Sequence, residues 1–327
     1  MKQQDFELAH QTVWQDLETL LACKKKRDRD PEVLQQLPVH YRQVCHHLAL
    51  AKHRRYSTFL VDRLNLIVVE CHNILYSQSA RFRYQWLRFF IEDFPVALYR
   101  NRFFIRLSTA LFCVPLFGMG ILCYLDPELI YSIMDTSQVR GMESMYDPAA
   151  RVLGREREAD SDLYMFGFYI YNNIGIAFRS FALGIFFGIG SAFITVFNGI
   201  MIGAVGGHLS QLGYYSTFYP FVIGHGSFEL TAIVLCGGAG LKIGSVLIAP
   251  GSQTRIAALK DASKDVIQIV FGAAAMLLIA AFLEAFWSSK ASLPIPVKIS
   301  VGVALWLMVL SYIGLVGRKK YHGSEPN

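Results

Sequence analysis

The sequence predicts an all-α, polytopic helical membrane protein carrying an N-terminal cytoplasmic helical domain, and three observations lead there. Hydrophobic residues make up 53% of the chain and charged residues only 17%, against about 25% charged in an ordinary soluble domain. Five apolar blocks, 107–125, 181–206, 218–249, 266–287 and 297–317, are each near or above the roughly 20 residues that a membrane crossing needs. The charge also changes sign along the chain. Residues 1–106 hold 17 Lys/Arg against 11 Asp/Glu, residues 107–162 hold 4 against 9, and residues 163–327 hold 10 against 5. That order is membrane topology, with basic segments retained and an acidic loop exported. The net charge of +6 therefore argues for no nucleic-acid partner. The basic run Lys24–Arg27 is itself offset by Asp28, Asp30 and Glu32.

Residues 1–100 read as the helical domain. Trp14, Leu17, Leu20 and Leu21 follow helical spacing, Pro31 and Pro38 punctuate a first break, and Leu60–Tyr76 has one apolar side but too many charges for a span. From Ala80 to Arg106, arginines alternate with aromatics such as Trp86, Phe90 and Phe94. This suits an amphipathic helix in the headgroup layer, or equally one packed on residues 1–76. Residues 101–327 form the transmembrane domain. The exported loop 126–162 is acidic at both ends, at Asp126 and Glu128 and again at Asp160 and Asp162, with apolar patches between them that fit a short structured cap or a partner surface.

Crossing parity then poses a problem. Basic residues before Leu107 and at Arg318-Lys319-Lys320 hold both ends inside, which requires an even number of crossings, yet there are five blocks. Two solutions are open. Block 218–249 is long and interrupted by Gly224, Gly226, Gly237 and Gly238, so it can be broken and re-entrant, the reading favoured here. Alternatively, residues 163–178 enter the bilayer.

The candidate functional residues are polar groups inside these blocks. His225 and Glu229 stand four apart and share a helix face; ionisable groups at membrane depth are functional hypotheses by default. Asn172, Asn173, Arg179 and Asn198 are further intruders that can join one polar core with them. Glu284 and Lys242 read as interface residues. No metal site is expected, because a zinc site needs more ligands than one His–Glu pair. Catalytic constellations and cofactor motifs are likewise missing, so no enzyme and no cofactor is expected. Gly184/Gly188, Gly199/Gly203 and Gly240/Gly244 form small-residue faces for close helix packing. Their abundance points to a homodimer through Gly199/Gly203; the rival reading has every face consumed inside one protomer.

The stretch from Tyr171 to Gly251 resembles the stage II sporulation protein M family. The resemblance rests on Asn172-Asn173-Ile174, Ala182-Leu183-Gly184, Phe187-Gly188-Ile189-Gly190, Asn198-Gly199, His225-Gly226 with Glu229-Leu230, Gly237 to Leu241, and Pro250-Gly251. Trp14, Tyr41-Arg42 and Leu64-Asn65 resemble its non-sporulating bacterial members. The resemblance implies an integral protein of the bacterial inner membrane, acting as a non-enzymatic scaffold in an envelope-associated complex. A MoxR-type AAA ATPase or a cell-wall-related protein is the implied partner. The alternative is a transporter or channel with a polar path around His225 and Glu229.

Overall fold

A computed structural model describes residues 2–22, 31–149, 159–290 and 292–316. Among them there is no strand, and the chain divides into two compact units between Arg88 and Phe89, N-terminal to the expected boundary at residue 100. The basic runs at 24–27 and 318–320 lie outside the described residues, as do the side chains of Asp160 and Asp162.

The first unit is three helices, α1 (Gln3–Ala22), α2 (Pro31–His53) and α3 (Thr58–Arg88). Each contributes a stripe at three- and four-residue spacing. Phe6, Trp14 and Leu17 meet Leu37, Val44 and Leu48, and Leu60, Leu64, Ile67 and Cys71 close the core. Pro31 opens α2, where its missing N–H costs nothing. Pro38, expected in the break, lies within the helix, because burial of Leu37, Val44 and Leu48 holds α2 together despite the weak local propensity. The buried Trp14 indole N–H donates to His47 Nδ1 at 3.1 Å, and His10 stacks on His47 with centroids 3.9 Å apart. Burial, then the neighbouring His10 and His46, holds the His47 imidazole down at about 4.

The second unit opens with a π-turn, Phe89–Asp93, and a short helix, α4 (Phe94–Arg100). Phe94, Pro95, Ala97 and Leu98 are buried, and a side chain at Gly272 of α10 (Arg255–Leu283) would overlap the Phe94 ring. This half of the expected interfacial segment is thus packed on protein, since its aromatics find an apolar core there.

Among the described residues, five helices are long and apolar enough to cross a membrane. They are α5 (Arg102–Leu125), α8 (Ile189–Gln211), α9 (Tyr215–Ile248), α10 with its π-turn to Ser288, and α11 (Ile295–Ser311) with its π-turn to Val316. Contact register gives their directions. Gly199, Gly203 and Gly207 of α8 face Phe112, Leu116 and Gly120 of α5 in ascending order, so those helices are parallel. Gly237, Gly240 and Gly244 of α9 meet Thr195, Ser191 and Gly188 in descending order, so α8 and α9 are antiparallel. Parallel α5 and α8 need an intervening traverse, and α7 (Ala159–Ala182) supplies it. Its 24 residues reach about 36 Å at 1.5 Å per residue.

The favoured re-entrant block is therefore overturned, and the alternative segment at 163–178 lies within α7, which runs back along the bundle between the parallel α5 and α8. Residues 215–248 form one continuous helix. The Gly237-Gly238 pair does not break it because both are covered by neighbouring elements: Thr195 and Ser108 lie over Gly237, and the backbone of Phe104 and Ile105 lies over Gly238. The break instead falls at Leu183–Gly188, inside the expected block 181–206. A 3-10 turn ends there, and the backbone turns left-handed at Phe187 and Gly188 (φ 54° and 82°). With six traverses, α5 begins and α11 ends at the same face, and the Tyr312 hydroxyl donates to the Phe90 carbonyl there.

The expected cap exists. A 3-10 turn (Pro127–Ser132) and α6 (Thr136–Tyr146) bury Ile130 and Val139 against Cys123 and Ala204.

The Gly199/Gly203 face is not available to a second copy. A Cβ at either position would overlap the Phe112 or Leu116 carbonyl oxygen of the same chain; the seam is internal. Gly207→Ala should therefore destabilise the membrane unit by at least about 1–3 kcal/mol, since its Cβ meets the rigid Gly120 backbone. Gly118→Ala, with open space around it, should be neutral or stabilising by up to about 1 kcal/mol. Thermal unfolding in detergent compares the two. For the first unit the expected acid response is also signed. His47 is neutral when folded and binds a proton more readily when unfolded, so stability present above about pH 6.5 falls as pH drops toward 4. Hydrogen exchange of residues 3–22 and 36–75 should rise over that window, and His47→Gln should flatten the rise.

Candidate functional site

The polar residues singled out in the sequence do not converge as one group. Arg179 is exposed and its Nε donates to the Gly175 carbonyl at 3.0 Å. Asn198 Nδ2 donates to the Ile194 carbonyl at 2.8 Å. Both satisfy themselves on the preceding turn of their own helix, which is the cheap solution to a polar side chain in hydrocarbon. Asn172 Nδ2 donates to Asn173 Oδ1 at 3.1 Å, and Asn173 is buried with its own amide nitrogen unpartnered. His208 bonds Glu143 at 2.7 Å, which ties the cap helix α6 to the end of α8.

His225 and Glu229 do stay together, and the partner that joins them is Glu284 from the π-turn Glu284–Ser288. One imidazole nitrogen and one oxygen from each carboxylate all lie within 4.8 Å of one another. No hydrogen bond joins His225 to Glu229. The His225 Nδ1 instead pairs with the buried Ser288 hydroxyl at 3.1 Å, and the Ser288 carbonyl accepts from Lys298 Nζ at 2.8 Å. The Phe221 ring lies 5.3 Å from the imidazole.

Two carboxylates no more than 4.8 Å apart repel by about 3–4 kcal/mol when both are ionised at an effective dielectric near 20. Such a pair needs a compensating positive charge or a shared proton. Tyr146, the last residue of α6, reaches toward this end of the bundle. Its ring meets Phe218 and Phe221, and burial, then Glu284, Tyr169 and Glu229, pushes its phenol well above the ordinary value. A cleft of about 230 Å³ opens beside the cluster, lined by His225, Glu229 and apolar residues including Met201, Phe218 and Val222.

In the sequence Glu284 reads as an interface residue because it stands three residues from Trp287, an aromatic of the kind that anchors helices at the membrane interface. Its isolation inside an apolar block was the available signal. No spacing rule connects it to His225, 59 positions earlier, and nothing in the sequence marks Ser288.

The arrangement is that of a polytopic helical membrane protein with one ionisable cluster sunk between two central helices. The family model for Stage II sporulation protein M matches residues 108–289, more than half of the chain. The chain belongs to that family. A domain of unknown function matches residues 4–77, within the three-helix unit. No curated protein and no solved structure matches the chain.

His208→Ala should release the cap, because it removes the bond to Glu143 and leaves that carboxylate half-buried. Loss of such a partner costs about 1–3 kcal/mol. Hydrogen exchange of residues 127–146 should accelerate while α8 and α9 stay protected.

Proposed function

We propose that the chain is a non-enzymatic assembly factor of the bacterial inner membrane, which holds a soluble partner at the membrane through its N-terminal unit. The observation that carries this reading is the two-unit build. The family match covers most of the membrane bundle, and a separate three-helix unit with its own core precedes it. That unit exposes apolar side chains at Leu8 (75%), Phe59 (80%) and Leu66 (66%). Phe59 and Leu66 are seven apart on α3 and so share a face, as a docking surface for a protein would. By family resemblance the partner is a MoxR-type AAA ATPase or a cell-wall-related protein.

The charge order supports a topology with residues 1–106, the 249–254 loop and the C-terminus in the cytoplasm and the cap outside. Cysteine-accessibility labelling should mark positions 126–147 from outside and Gln253 from inside. Labelling of both from one side would overturn the topology. Recovery of partners by the intact chain in mild detergent should be lost on removal of residues 1–88, and reduced at least tenfold by Phe59→Asp with Leu66→Asp. Recovery that survives both changes would refute the scaffold.

A second reading is transport, and the convergence of His225, Glu229 and Glu284 favours it, since ionisable groups at membrane depth mark ion paths. The continuity of α9 removes the broken helix on which that reading otherwise leaned. Proton or cation flux in proteoliposomes that Glu229→Gln abolishes would establish it.

A further inference from the structure

We propose that His225, Glu229 and Glu284 bind a divalent transition-metal cation, of which Zn²⁺ is the probe, with an open coordination position toward the neighbouring cleft.

Several observations support the site. The three ligand atoms already lie within 4.8 Å of one another, and bonds of about 2.0–2.2 Å bring such atoms to roughly 3–4 Å apart. Small rotations of two glutamate side chains cover the difference. The ligand set is one imidazole and two carboxylates, which matches the three-ligand count of open zinc sites. The imidazole favours a transition metal over Mg²⁺ or Ca²⁺.

The ring of His225 is held as a metal ligand is held. Its Nδ1 pairs with Ser288 Oγ at 3.1 Å, and Ser288 is 2% exposed. When Nδ1 donates that bond, Nε2 keeps its lone pair for a cation, the outer-shell pattern of metal-bound histidines. Glu284 and Ser288, which supply a ligand and the outer-shell partner, are the two ends of one π-turn. Such turns are rare, and they concentrate at functional sites.

Charge points the same way. Two carboxylates face each other here with no hydrogen bond between His225 and Glu229. Lys298 is the charged group on the adjoining α11, but its Nζ is held by the Ser288 carbonyl at 2.8 Å, and one ammonium offsets one carboxylate at most. A dication balances both. The cleft of about 230 Å³ that His225 and Glu229 line has room for several waters, so the remaining coordination position can be filled from there.

The test uses the full-length protein in detergent, stripped with chelator and titrated with ZnCl₂, with bound metal measured by mass spectrometry. About one Zn²⁺ per chain is expected, with a raised unfolding temperature and little competition from millimolar Mg²⁺. The double variant Glu229→Gln with Glu284→Gln removes the carboxylate repulsion and should stay folded while losing this zinc. Ser288→Ala should weaken binding about 10–100-fold. Substitution with Co²⁺ should give visible ligand-field bands that vanish in the double variant. The surface histidines of the first unit are controlled by His46→Gln, which should leave the bands intact. Zinc retained at full stoichiometry by the folded double variant would overturn the site. So would a wild-type protein that binds none, which would leave a shared proton to neutralise the pair. Neither result bears on partner capture by residues 1–88, so the scaffold and the metal site stand or fall separately.

Discussion

Between helices in a bilayer there is little to gain from hiding apolar side chains, because lipid is as apolar as leucine. What remains is close contact, and the α5–α8–α9 seam shows how far this chain carries it. Glycines 199, 203 and 207 bring the α8 backbone directly onto the carbonyls of α5, and Gly240 and Gly244 do the same for α9 against the turn at Leu183–Gly188. The seam sets the remaining geometry. It makes α5 and α8 parallel, which forces α7 to run between their ends. It also places α9 at the centre, where 61% of its most apolar window is buried against protein.

A helix so enclosed can hold polar groups that lipid would not tolerate. His225 sits where α9 meets the end of α10, and α10 loses its regular ladder there to present Glu284 and Ser288 on either side of one π-turn. The glycines and the cluster are complementary uses of one helix. The Gly237–Gly244 half of α9 packs closely against its neighbours, and the Tyr215–Glu229 half holds the ionisable residues His225 and Glu229. Polar residues outside that enclosure, Arg179 and Asn198, fold back on their own backbone instead.

Much of this architecture could be read from composition and period alone. The N-terminal core of Trp14, Leu17, Leu60 and Leu64 follows from helical spacing, because a stripe on one face needs only a neighbour to cover it. The five apolar blocks, the cap and the family also follow from local chemistry. Parity required a further element, and the glycine-rich stretch in block 218–249 misdirected the choice. Glycine lowers helix propensity, and sequence cannot say whether a neighbouring backbone will cover the gap. Here one does, so α9 continues and α7, whose Asn172, Asn173 and Arg179 had lowered its hydropathy, becomes the missing traverse.

The amino-acid sequence by itself determined that this chain is helical, resides in a membrane and joins two units, because those properties depend on local period, length and hydrophobicity. Tertiary structure alone decided the rest. Whether a glycine face meets its own chain or another, and which carboxylate meets His225, are relations between segments tens of residues apart. Helix direction, register and one π-turn bring Glu284 to His225 and Glu229. None of the three has a signature in the residues that it brings together.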